Sequence, residues 1–116
     1  MSVYANLYMD QGADFDVVVT IEDGLGNLFD LTGYTGRAQM RKSYNSSNAI
    51  DIHVEMPPFN PKSGEVSLRL SPEETSAIKA GRYVYDVEIT ADDVENENTT
   101  LRVIEGQIIV TPQVTK

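Results

Sequence analysis

Few side chains in this sequence could do chemistry. The single histidine, His53, alternates with Asp51 and Glu55 at a spacing of two. A hydrolytic triad needs such a base beside a nucleophile. Strand spacing instead puts all three on one polar face and nominates no nucleophile, so His53 reads as a surface residue. Cysteine is absent, which removes disulfides, thiol nucleophiles and zinc–thiolate sites. Carboxylates are plentiful, but no pair is marked out for acid–base work. The run Asp92-Asp93-Val94-Glu95-Asn96-Glu97-Asn98 offers hard oxygen donors to a cation. It lacks the D-x-[DN]-x-[DN]-G spacing of a calcium loop and reads as a solvated hairpin tip, with metal binding left open. Gly24-Leu25-Gly26 is not a phosphate cradle, because no helix follows it. The expectation is no enzyme, no cofactor and no metal.

Binding chemistry is the remaining candidate. The chain has 116 residues, 18 acidic against 9 basic, for a net charge of -9. Such a surface repels phosphate backbones and anionic lipid, which argues against nucleic-acid and membrane partners. Residues 1–36 hold six acids and no base, 37–85 five acids and seven bases, and 86–116 seven acids and two bases. The middle is therefore the only basic part, with Arg37, Arg41 and Lys42 close together. No apolar run is long enough to span a bilayer, and the first ten residues lack the pattern of an export signal. A soluble, single-domain chain over 1–116 is predicted.

The elements that would position these residues are read from period-two alternation. A first strand is predicted over Val3 to Met9, with Val3, Ala5, Leu7 and Met9 on one face and Tyr4, Asn6 and Tyr8 on the other. A second runs from Phe15 to Ile21, and the glycines of 22–27 suggest a hairpin into Leu28 to Leu31. Thr32-Gly33-Tyr34 forms a corner into a strand over Gly36 to Tyr44, and Ser43 to Asn48 is a polar loop. Ile50, Ile52, Val54 and Met56 alternate until Pro57-Pro58; Val66, Leu68 and Leu70 follow a turn at 60–64. Ser71-Pro72-Glu73-Glu74 is a capping-box start for a short connector helix near 72–80, with Ile78 turned to the sheets and Gly81 as its stop. Tyr83, Tyr85, Val87 and Ile89 form another inward face. The last strand, Thr99 to Val110, changes phase, so a bulge is expected at Gly106. The sum is an all-β, immunoglobulin-like antiparallel β-sandwich of seven to eight strands with one helical turn.

Several strings are more specific than the fold: Asp30-Leu31-Thr32-Gly33-Tyr34-Thr35, then Arg37 and Arg41, Gly81-Arg82-Tyr83-Val84-Tyr85-Asp86-Val87-Glu88, Val103-Ile104-Glu105-Gly106, and Val110-Thr111-Pro112-Gln113-Val114-Thr115. Their order and spacing resemble a family of small phage and prophage virion proteins. The family is similar in turn to the immunoglobulin-like N-terminal domain of siphophage upper baseplate proteins, which attaches a receptor-binding apparatus to the tail. The resemblance implies a structural protein of the virion, made in the host cytoplasm, whose partners are other virion proteins. The chain ends directly after the last string, so a free-standing adaptor, neck or tail accessory, or capsid decoration protein is expected rather than an attachment domain with a receptor-binding part behind it.

The residues expected to make contacts are Tyr4, Tyr8, Arg37, Arg41, Val110, Thr111 and Val114. Tyr4 and Tyr8 share a face on a terminal strand with little charge, which could dock on a neighbour or exchange between copies of a homo-oligomer. Arg37 and Arg41 could meet an acidic partner or this chain's own carboxylates. Tail or baseplate attachment leads among the readings and capsid decoration is second. A carbohydrate- or host-surface-binding domain is the alternative of another class, with no tryptophan for stacking on sugars.

Overall fold

The structure, a computed structural model, describes residues 3–22, 25–55, 61–91 and 99–115. Among the described residues eight strands, a 3-10 turn and one short α-helix follow in the order β1 (Val3–Tyr4), β2 (Leu7–Asp10), β3 (Phe15–Thr20), β4 (Tyr34–Arg41), β5 (Ile50–Glu55), the 3-10 turn (Pro61–Ser63), β6 (Glu65–Leu70), α1 (Pro72–Ser76), β7 (Gly81–Ala91) and β8 (Thr99–Thr111). The ladder order is β1-β8-β7-β4-β5-β6-β3, with β2 also on β8. One layer is β1/β2, β8, β7 and β4; the other is β6 and β3. Strand β5 belongs to both, because Ile50 to Ile52 pair with β4 while His53 to Glu55 pair with β6. This is an immunoglobulin-like sandwich closed along the β5 side and open between β2 and β3.

Alternation explains the core. Ala38 and Met40 of β4, Tyr83, Tyr85, Val87 and Ile89 of β7, and Ile104, Ile108 and Val110 of β8 point inward. They meet Ile52 of the shared strand β5 and Phe15, Val66, Leu68 and Leu70 of the other layer, and all are buried. Burying such side chains is worth about 1.5–3 kcal/mol each, which is what holds two layers of strands together.

Several expected features lie elsewhere. The first strand is broken at Ala5 and Asn6 and runs parallel to β8, so the sheet is mixed rather than antiparallel. Its onward turn leads to β3 in the opposite layer, and no hairpin constrains its direction against β8. Leu28 to Leu31 is not a strand: a single bridge joins Glu22 to Leu28, after which Leu31 simply plugs the core. Strand β4 starts at Tyr34 and ends at Arg41, leaving Lys42 beyond it, its ammonium 4.5 Å from the centre of the Tyr83 ring. The Thr32-Gly33 corner is as expected. Asp30 accepts from the Thr32 N–H and hydroxyl, which holds its carboxyl below the usual range, and Gly33 has φ +81, a conformation that favours glycine.

Helix α1 is shorter than expected. Its capping box is present: the Ser71 hydroxyl accepts from the Glu74 N–H at 3.2 Å, and Glu74 accepts from the Ser71 N–H at 3.0 Å. It ends at Ser76 with Ala77 as its C-cap, not at Gly81, because Gly81 is already the first residue of β7, opposite Val110. Ile78 is buried against the sheets as expected. Thr75, fully buried, fastens the helix to the β2–β3 turn by donating to the Ala13 carbonyl and accepting from the Gly12 N–H.

The bulge of β8 is at Val103 rather than Gly106. Val87 pairs with Ile104 and Glu88 with Arg102, so Val103 is the extra residue, and both Val103 and Ile104 face inward. Gly106 has a different duty. A Cβ there would collide with the Ala5 carbonyl oxygen, so glycine lets the β1–β2 junction cross directly over β8. Met56, Pro57, Pro58 and the acidic run 92–98 lie outside the described residues.

Candidate functional site

The N-terminal strands carry Tyr4 and Tyr8 on the outer face of their layer, 64% and 69% exposed. Between them the chain leaves regular pairing. The Ala5 N–H donates to the Glu105 carbonyl at 2.9 Å, and the Asn6 side-chain oxygen accepts from the Gln107 N–H at 3.1 Å. The Ala5 carbonyl receives the Tyr85 hydroxyl at 2.6 Å. Burial, with a smaller contribution from Tyr4, pushes the Tyr85 hydroxyl up to about 12. These bonds dock the segment on its own chain. Among the described residues its other edge pairs with nothing. The two tyrosines therefore stand exposed on an edge that is hydrogen-bonded to β8.

Tyr83 and Tyr85 face the core with their hydroxyls satisfied, Tyr83 donating to the Lys79 carbonyl at 2.7 Å. Arg37 and Arg41 do share a strand face, but they differ in freedom. Arg41 is half-buried and donates to the Ser46 carbonyl and to Gln39, so it props the 43–48 turn. Arg37 is exposed, at the register position beside Glu88.

The C-terminal segment is divided in the same way. Val110 is 2% exposed and packs in the core, so it cannot make the outward contact expected of it. It lies on the inward parity of β8, two residues after Ile108. Thr111 is exposed, but its hydroxyl donates to Asp10 at 2.6 Å. Val114, 96% exposed, is the free apolar group of this end.

His53 lies in a shallow cleft of about 390 Å³ with Asp14, Asp16, Glu55, Arg69, Ser71 and Glu74. Its Nε2 is 2.8 Å from a Glu74 carboxylate oxygen. The backbone N–H of Ser71, then His53, holds the Glu74 carboxyl below its ordinary range. The Ser71 hydroxyl is committed to the helix cap. Among the described residues no cluster of His, Asp and Glu is disposed to hold a metal ion.

A second depression, of about 400 Å³, opens on the outer face of the β4, β7 and β8 layer. Gln39, Arg41, Tyr44, Val84, Asp86, Glu88 and Arg102 line it. Gln39 donates to Asp51 at 2.8 Å, and Arg102 pairs with Asp86 at 3.4 Å. Tyr44, on the 43–48 turn, also lines it and is 82% exposed. Tyr44 is not among the contact residues that the sequence nominates. The available signal was an aromatic residue in a loop of Ser, Asn and Lys, where no core position calls for one.

No family model matches the chain, and no curated protein matches it. Among solved structures, InlP of Listeria monocytogenes aligns with a TM-score of 0.49 at 11% identity, over 95% of this chain and 28% of its own. The Lin-41 filamin domain aligns with a TM-score of 0.42 at 18% identity, over 83% and 81%. A chain from a study of cell-adhesive interactions of VGSC beta subunits aligns at 0.44 and 14% identity, over 93% and 92%. This chain thus spans little more than a quarter of the Listeria proteins, at 28%. Likenesses this distant carry no argument about function.

Proposed function

We propose that the protein is a non-enzymatic docking module of a tailed phage particle, joined to other virion proteins of the tail, baseplate or neck through its β1/β2 edge. The observation that carries the reading is the pair Tyr4 and Tyr8, both exposed on strands that the chain has anchored firmly to β8. Tyrosine combines a large apolar ring with a polar tip and is enriched at protein interfaces. A strand edge with free backbone groups and little charge is unusual on a monomer. The phage setting is supported by the sequence strings around Thr32, Tyr83, Gly106 and Thr111.

Incorporation into particles tests this. Replacing both tyrosines by serine should lower the copy number per particle at least tenfold, as expected when central aromatic contacts are lost. A photo-crosslinker at position 4 or 8 should link to another virion protein. Normal incorporation of the double variant would overturn the edge assignment, and recovery of the protein in purified tail-less heads would overturn the tail station.

A further inference from the structure

The depression lined by Tyr44 has a chemistry different from that of the β1/β2 edge. Its charged lining balances: Arg41 and Arg102 against Asp86 and Glu88. An anion would meet the two carboxylates and a cation the two guanidinium groups, so neither sign of guest gains from the lining as a whole. What the lining offers instead is a set of planar, fixed hydrogen-bonding groups. Gln39, Asp86 and Arg102 are held by bonds to Asp51 and to each other, and Arg41 by Ser46 and Gln39. Among the described residues the half-buried Glu88 carboxylate makes no hydrogen bond or ion pair, although Arg37 of β4 and Arg102 of β8 stand opposite it in register, which leaves an acceptor on the strand face.

The lining carries one exposed aromatic ring. Tyr44 sits in a turn closed by the Ser46 N–H donating to the Ser43 carbonyl at 3.1 Å, and Arg41 ties the same turn back to β4. The backbone that carries the ring is therefore tied down, while most of the ring's surface is in water. Val84 adds a small apolar patch to the floor. An uncharged guest with an apolar face for the ring and many hydroxyl groups for the floor satisfies all of these features, since each hydroxyl both donates and accepts. A volume of about 400 Å³ is within the usual range for small-molecule sites, about 300–1,000 Å³.

We propose that the trough formed by Tyr44, Gln39, Arg41, Val84, Glu88 and Arg102 binds a neutral saccharide. The ring of Tyr44 stacks on the sugar and the Glu88 carboxylate accepts from its hydroxyls. Amide NMR spectra titrated with chitotriose, mannotriose and maltotriose, alongside an array of neutral, sialylated and sulfated glycans, form the test.

At least one neutral glycan should shift the amides of Tyr44, Val84, Glu88 and Arg102. Its affinity should fall about tenfold in Tyr44→Ala and in Glu88→Gln. Tyr44 is exposed and Glu88→Gln keeps its shape, so both variants should retain the wild-type thermal midpoint. Tyr4→Ser/Tyr8→Ser should bind sugar normally, which separates this site from the docking edge. Silence across the neutral glycans overturns the proposal. So do shifts centred elsewhere, a response confined to sulfated or sialylated glycans, or tighter binding of lysine amide than of any sugar.

Discussion

At the residue scale, the Tyr85 hydroxyl links the core to the N-terminal strands through the Ala5 carbonyl. In the folded chain it keeps its proton up to about 12, while an unfolded tyrosine releases it near 10. The unfolded state therefore binds fewer protons between those values, and stability must fall as pH rises through that window. Tyr85→Phe should lose about 1 kcal/mol at neutral pH, the worth of a typical hydrogen bond. It should also lose much of the alkaline decline, leaving the part due to Tyr83, which burial likewise raises. Denaturant unfolding from pH 8 to 12 measures both; an equal alkaline slope in wild type and variant would refute the assignment. Gly106 shows where residue-level reading stops. A glycine inside a strand pattern marks either a bulge or a close backbone approach. Only the path of Ala5, a hundred residues away in sequence, decides between them.

At the element scale, local signals were the legible ones. The capping box at Ser71 is written in four consecutive residues, and its bonds form as read. Ser71→Ala should cost about 0.5–2 kcal/mol in equilibrium unfolding, and a change too small to detect would show that Thr75 alone holds the helix. The inward faces of β4 and β7 were equally plain, because alternation there is unbroken. What local pattern could not show was partnership. The stretch Val3 to Met9, expected as one strand, forms two, and Leu28 to Leu31 forms none, because neither pattern shows which neighbour a segment will pair with. The parallel pairing of β2 with β8 joins the two ends of the chain and leaves no mark in either segment. The candidate site divides the same way. Tyr4 and Tyr8 were visible as outward-facing strand tyrosines, whereas Val110 shares its string with exposed neighbours and only the β8 parity places it in the core. The trough under Tyr44 draws on β4, β7, β8 and a loop, and no single stretch of sequence contains it.

At the scale of the whole molecule, charge is the dominant property. A net charge of -9 is spread over a body of 49 × 31 × 25 Å. At about 0.01 M salt the screening length, about 30 Å, is comparable to the shorter dimensions, so most carboxylates repel one another; at about 0.1 M it is about 10 Å. The exposed ion pairs, such as Arg69 with Asp16 and Glu55, contribute little each. The thermal midpoint should therefore rise between these salt concentrations, and a fall would mean that ion pairs outweigh the general repulsion. The parallel ladder of β1/β2 on β8 has a mechanical consequence. Val3 lies beside Ile104 at one end and Asp10 beside Thr111 at the other. Tension drawn between Val3 and Thr111 pulls the two strands past each other lengthwise, so the bonds joining them bear the load together instead of opening one after another from an end.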